Sequence, residues 1–110
     1  MATFFKNILY PDLGATEQTL LTTASNARTT VVGLSLTNLT SSIVLVSVKL
    51  EDTVAVTEAY FMKDIIVPPN TSLRAVNGGE RLILGPSTAI KIQANFDDSI
   101  DVVMSYVEIV

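Results

Sequence analysis

The feature that most constrains this chain is alternation of apolar and polar residues. In "SIVLVSVKLED", Val44, Val46, Val48 and Leu50 fall on one side, while Ser47, Lys49 and Glu51 fall on the other. In "TAIKIQANF", Ile90, Ile92, Ala94 and Phe96 form the inward set, with Lys91, Gln93 and Asn95 outward. A period of two is the signature of a half-buried strand, and a helix cannot present it to one core. Roughly a third of the residues are Val, Ile or Thr, which pack well on pleated sheets and lose rotamer freedom in helices. The pattern predicts strands near 4–10, 18–23, 29–38, 43–51, 55–66, 72–76, 81–84, 88–95 and 100–109. Turn chemistry separates them: "PDLG" at 11–14, "SNAR" at 25–28, "PPN" at 68–70, "NGG" at 77–79 and "GPS" at 85–87. Short strands at this spacing imply an all-β fold, an antiparallel two-sheet β-sandwich of jelly-roll-like type.

With 110 residues, the chain is read as a single domain, 1–110, with an N-terminal arm over about residues 1–15. It is 48% apolar and only 16% charged, which argues against disorder and for more buried surface than a soluble monomer usually has. A net charge of −4 with scattered basic residues gives no footprint for nucleic acid. Without Cys or His, thiolate sites and the commonest general base are both excluded. No apolar run is long enough to span a membrane as a helix, and "MATFFKNILYPDLG" lacks the long apolar region of a signal peptide. The expectation is a soluble protein made in a cytoplasm. No catalytic, cofactor-binding or metal-ligating residue is assigned.

The acidic stretch "NFDDSIDVV" tests the metal question. Asp97, Asp98 and Asp101 offer three carboxylates, whereas calcium asks for about 6–8 oxygen ligands. Residues 38–43, "NLTSSI", repeat residues 95–100, "NFDDSI", with Thr40 and Ser41 where the second copy has Asp97 and Asp98. This reads as one hairpin design used twice, once per sheet, in which the acids are replaceable turn residues.

The last strand, "SIDVVMSYVEIV", is apolar on both sides: Ile100, Val102, Met104 and Tyr106 on one, Val103, Val107 and Ile109 on the other. A sandwich strand needs only one buried face. Either the N-terminal arm of the same chain covers the second, or a neighbouring subunit does. Candidate subunit contacts are therefore Phe4, Phe5 and Ile8 of the arm, Val103, Val107 and Ile109 of the last strand, and Tyr60 and Phe61 from "EAYFMKDIIV".

The order of these pieces resembles small all-β virion structural proteins of tailed bacteriophages, of the capsid decoration, neck or tail accessory type. The resemblance rests on an N-terminal "FFKNIL", a strand ending in an Asn-containing turn, "KDIIVP" followed by a polar turn and Leu, "GGERLIL", and a terminal "SYVEI". It runs from about Phe4 to Val110. Gly85-Pro86-Ser87 departs from the Gly-Asp turn of many relatives. The resemblance implies no catalytic residues and a building block of the virion, synthesised in the host cytoplasm, with other capsid or tail proteins and copies of itself as partners. The competing class is a carbohydrate-binding, host-surface receptor module, which an exposed aromatic platform would favour.

Overall fold

The computed structural model describes residues 2–76 and 81–110. All its regular elements are strands: β1 (Thr3–Leu13), β2 (Gln18–Thr22), β3 (Arg28–Asn38), β4 (Val44–Asp52), β5 (Thr57–Val67), β6 (Ser72–Val76), β7 (Leu82–Leu84), β8 (Thr88–Ala94) and β9 (Ile100–Ile109). Sheet A runs β1-β9-β3-β6, with β7 also paired to β3, and sheet B runs β2-β8-β4-β5. Every pairing is antiparallel. With the short β7 set aside, the first strand pairs the last, the second the next to last, the third β6 and the fourth the fifth. That nesting is one long hairpin rolled into two layers, the jelly roll.

The core lies where alternation places it. Val44, Val46, Val48, Ile90, Ile92, Ile100, Val102 and Met104 are all buried, joined by Leu34, Leu36, Leu13 and Leu84. Full burial of each such side chain is worth roughly 1.5–3 kcal/mol. Phe96 is the exception to the expected inward set: β8 ends at Ala94, and Phe96 lies 53% exposed in the loop beyond it.

The N-terminal segment expected as an arm is, over Thr3–Leu13, a full strand of sheet A paired in register with β9 from Thr3↔Ile109 to Tyr10↔Val102. It extends the sheet sideways and does not lie over the outer face of β9. Covering by the arm is thereby excluded as the reason for the second apolar side of β9.

The repeated loops are also different from the hairpins anticipated. "NLTSSI" leads from β3 in sheet A to β4 in sheet B, and "NFDDSI" from β8 in sheet B to β9 in sheet A. Both are arches between layers, and they lie side by side, because Asn38 pairs with Ile100 and Leu39 N–H donates to the Ser99 carbonyl. The last inward residues before each arch are Asn38 and Ala94, and the first after it are Val44 and Ile100. Five residues separate each pair, so the structural equivalence is shifted by one position from the sequence match. Asn38 is thus a buried counterpart of Ala94, not of the exposed Asn95. Its side chain is saturated: Nδ2 donates to the carbonyls of Ser42 (2.8 Å) and Val67 (3.0 Å), and Oδ1 accepts from Thr40 N–H and Oγ1 (both 2.8 Å). The anticipated turn at Asn77–Gly79 lies outside the described residues.

Candidate assembly surface

The two outer faces of the sandwich differ in chemistry. On sheet B, Lys49 and Lys91 stand directly opposite each other on β4 and β8, an arrangement that is repulsive by itself. Glutamates interleave them: Lys49 Nζ lies 2.8 Å from Glu17 and 3.3 Å from Glu58, and Lys91 Nζ lies 2.8 Å from Glu51. Hydrogen bonding to Glu17 is the main influence on Lys49 and to Glu51 on Lys91, and it raises both ammonium pKa values against the opposing effect of desolvation. The Lys49–Lys91 centre of this face is suited to water, while Ile66, beside Leu45, is 59% exposed toward one end of it.

Sheet A presents the opposite chemistry. Cross-strand partners share a face, so the register places Phe5 beside Val107, Leu9 beside Val103 and Thr3 beside Ile109. On the far side of β9, Val107 meets Thr30 and Val103 meets Ser35, and Thr30 in turn faces Ile83 of β7. Phe5 is 83%, Ile83 74% and Leu9 67% exposed. Among the described residues the register places formal charge on this face at its margins, at Arg28, Arg74 and Asp101, and Lys6 borders it from β1. Between the apolar rows runs an open depression of about 570 Å³ bordered by Phe5, Lys6, Asn7, Val32, Ser105 and Val107. Its floor is low because Ser105 pairs with Gly33, above which there is open space.

The candidate contacts therefore divide. Phe5, Val103, Val107 and Ile109 are brought together on the outer face of sheet A. Leu9 and Ile83 belong with them and were missed by the sequence reading, Leu9 because its partner row was unknown and Ile83 because β7 is too short to show a period. Ile8, by contrast, faces inward and packs against the core. Phe4 lies on that same side of β1, near the end of the strand, with the Lys6 ammonium 5.3 Å from its ring. Tyr60 and Phe61 belong to β5 in the other sheet.

Tyr60 is the aromatic most suited to stacking on a sugar, being 51% exposed and beside a polar depression. Its ring is already attended by the ammonium groups of Lys63 at 5.0 Å and Lys49 at 5.7 Å. The neighbouring polar groups are engaged too: Asp64 N–H donates to Ser47 Oγ, Gln93 Nε2 donates to the Ala15 carbonyl, and Asn95 Oδ1 accepts from Leu45 N–H.

The acids of the β8–β9 arch hold structure together. Asp97 Oδ1 accepts from Ala15 N–H at 3.0 Å, and Asp101 Oδ1 from Asp12 N–H at 3.0 Å. Both bonds fasten the β1–β2 crossing. Asp97 is thus more than the replaceable turn residue its repeat suggested. Gly14 is required beside it, since a Cβ there would lie 2.7 Å from Asp97 Oδ1 and 3.3 Å from its Cα. Among the described residues no group of three or more acidic side chains is arranged to hold a metal ion.

No protein-family model and no curated protein sequence matches the chain. Among solved structures, one of the infectious bursal disease virus Gt strain is similar over 98% of this chain and 30% of that one, with a TM-score of 0.49 and 10% identity. A crystal structure of the VP2 subviral particle of infectious bursal disease virus is similar over 96% of this chain and 41% of that one, with a TM-score of 0.33 and 9% identity. Likenesses this slight carry no weight for function, and the jelly roll stands on the strand pairing itself.

Proposed function

We propose that this chain is a structural subunit of a bacteriophage virion, a capsid decoration or cement protein or a neck or tail component, that acts by protein–protein assembly and catalyses nothing. The observation that carries the assembly part is the contrast between the two outer faces: sheet B holds interleaved ion pairs at its centre, whereas sheet A exposes Phe5, Leu9, Ile83 and Val103. Exposed apolar rows of this kind, here flanking the polar Asn7–Ser105 row, support reading the face as an interaction site. The virion assignment rests on the sequence resemblance. Its partners are copies of itself and neighbouring capsid or tail proteins, and it works in the particle after synthesis in the host cytoplasm. The alternative, a glycan-binding module, has less support, because Tyr60 and the polar groups beside it already have partners.

Light scattering over a series of concentrations tests the assembly reading. Species larger than a dimer are expected at high concentration. Replacing Val103 and Val107 by Ser should raise the concentration needed for them about tenfold, consistent with the area removed from the face, while the unfolding midpoint moves little. A chain that stays monomeric throughout, or equal losses in folding and association, would overturn it.

A further inference from the structure

The backbone of β1 points to a partner as well as a surface. Ala2 and Val110 exchange both backbone hydrogen bonds, Ala2 N–H to the Val110 carbonyl at 2.6 Å and Val110 N–H to the Ala2 carbonyl at 2.9 Å. Antiparallel pairs alternate between bonded and non-bonded. Hence Phe4, Lys6, Ile8 and Tyr10 bond to β9, while Thr3, Phe5, Asn7 and Leu9 turn their N–H and C=O groups to the open edge of sheet A. This edge is long, uninterrupted from Thr3 to Tyr10, and apolar. Its one charge, Lys6, is neutralised by Glu108 at 3.1 Å.

The other edges are guarded in the ways that prevent strand addition. Strand β5, equally long, carries Glu58, Lys63 and Asp64, has two register shifts against β4, holds Asp64 at φ 49° and runs into Pro68-Pro69. Strand β2 has five residues and a register shift, and β6 and β7 have five and three. Strand β1 carries such devices only at its far end, with Pro11, Asp12 at φ 53° and a register shift after Tyr10, and it is open from Thr3 to Tyr10.

We infer that β1 pairs antiparallel with β1 of a second copy about a two-fold axis through Asn7, joining two A sheets into one. Deepening the assembly reading above, this inference names a second copy as the first partner and the β1 edge as the contact. The register follows from the chain itself. Centring on Asn7 sets Phe5 opposite Leu9 on the outer face, Phe4 opposite Tyr10 on the inner side and Thr3 opposite Pro11, with Lys6 across from Ile8. From Phe5 to Leu9 edge-facing groups meet edge-facing groups, while Thr3 meets Pro11, which has no N–H and lies where the register to β9 shifts. Centring on Lys6 would instead bring two like charges together, and centring on Phe5, Ile8 or Leu9 would shorten the overlap within Thr3–Tyr10. The absence of net charge at the edge permits approach of an identical chain that is anionic overall. The regular overlap, Phe4 to Tyr10, spans roughly 24 Å. Such an edge, with Phe5 and Leu9 packed across it, buries on the order of 1,000 Å² in total, the lower bound for a specific interface. The dimer is accordingly reversible, with a dissociation constant in about the micromolar range.

Two variants separate this contact from others. Asn7→Pro deletes an N–H that faces the open edge and leaves the ladder to β9 intact, which an edge strand tolerates. It should keep the far-ultraviolet circular dichroism and unfolding midpoint near wild type and raise the dimer dissociation constant at least tenfold in sedimentation equilibrium. The chain contains no Cys, so Asn7→Cys offers a single thiol at the axis, which a short bis-maleimide should link to its symmetry mate in high yield. Thr3→Cys, separated from its mate by about 27 Å at strand rise, should not link. A wild-type chain monomeric at all concentrations would overturn both the pairing and the assembly reading. A dimer that Asn7→Pro leaves unchanged, or that links through Thr3→Cys as readily as through Asn7→Cys, would overturn the edge pairing alone. Should Asn7→Pro fail to fold, the two cysteine variants decide the matter.

Discussion

Removing the Asn38 side chain should cost the protein more than any other single truncation of a polar residue in the arches. Asn38 is 1% exposed and its amide joins three segments: its own strand end, the β3–β4 arch through Ser42 and Thr40, and the end of β5 through Val67. In Asn38→Ala the Val67 carbonyl loses a donor at a residue with 0% exposure, which costs about 1–3 kcal/mol. The Ser42 and Thr40 groups lie closer to solvent and can turn to water, adding roughly another 1 kcal/mol. The total, about 2–4 kcal/mol, corresponds to a fall in Tm of about 10–20 °C for a domain of this size. Urea unfolding followed by circular dichroism, with an unchanged dependence on denaturant, measures it. Asn95→Ala is the control. That side chain is exposed and accepts one bond, from Leu45 N–H, and its loss should cost about 1 kcal/mol or less. If Asn38→Ala came within about 1 kcal/mol of wild type, or matched Asn95→Ala, the assignment of Asn38 as the buried equivalent of Ala94 would be refuted.

Three further outcomes follow from single positions. Val56 closes the β4–β5 hairpin at φ 55°, a region that costs a β-branched residue about 1–2 kcal/mol; Val56→Asn should raise the unfolding free energy by about 1 kcal/mol, read by urea titration. Gly14→Ala should lower it by about 1–3 kcal/mol by displacing the Asp97 carboxylate from Ala15 N–H, and in Gly14→Ala/Asp97→Ala the two losses should add to less than their sum. The raised ammonium pKa values of Lys49 and Lys91 give a signed pH dependence. Their contribution is fully present below the ordinary lysine value of 10.5 and is lost as pH climbs through the higher folded values. Urea midpoints between about pH 9 and 12 should fall for wild type and fall less for Lys49→Gln/Lys91→Gln.

What could be read from the sequence was whatever depends on one strand and one core. The alternation in β4 and β8 located those strands and their buried sides, and the doubled apolar pattern of β9 marked Val103, Val107 and Ile109 as lying outside the core. Sheet membership was illegible, because a five-residue segment rich in Ser, Thr and Asp serves an arch between layers as well as a hairpin within one. That ambiguity turned two arches into supposed hairpins and displaced the repeat by one residue. It also hid the difference between Asn38 and Asn95, identical letters with opposite burial. Contacts distant along the chain were equally out of reach. Asp97 meets Ala15 across 82 positions and Asp101 meets Asp12 across 89, so nothing near either acid announces its partner. The glutamates around Lys49 and Lys91 likewise come from β4, β5 and the approach to β2, and only the register brings them together.

The pairing of β1 with β9 has a consequence for the order of events during synthesis. Of the nine described strands, β1 is synthesised first and its partner β9 last. At about 5–20 residues per second, β1 waits roughly 5–20 s for β9. Nested pairing also makes most strand contacts non-local, which slows folding toward the millisecond-to-second range. Throughout that interval an apolar strand bearing Phe4, Phe5, Ile8 and Leu9 is unpaired, and β9 of any neighbouring chain presents the same docking edge as its own. Refolding yield should therefore fall with protein concentration, through exchange of β1 between chains.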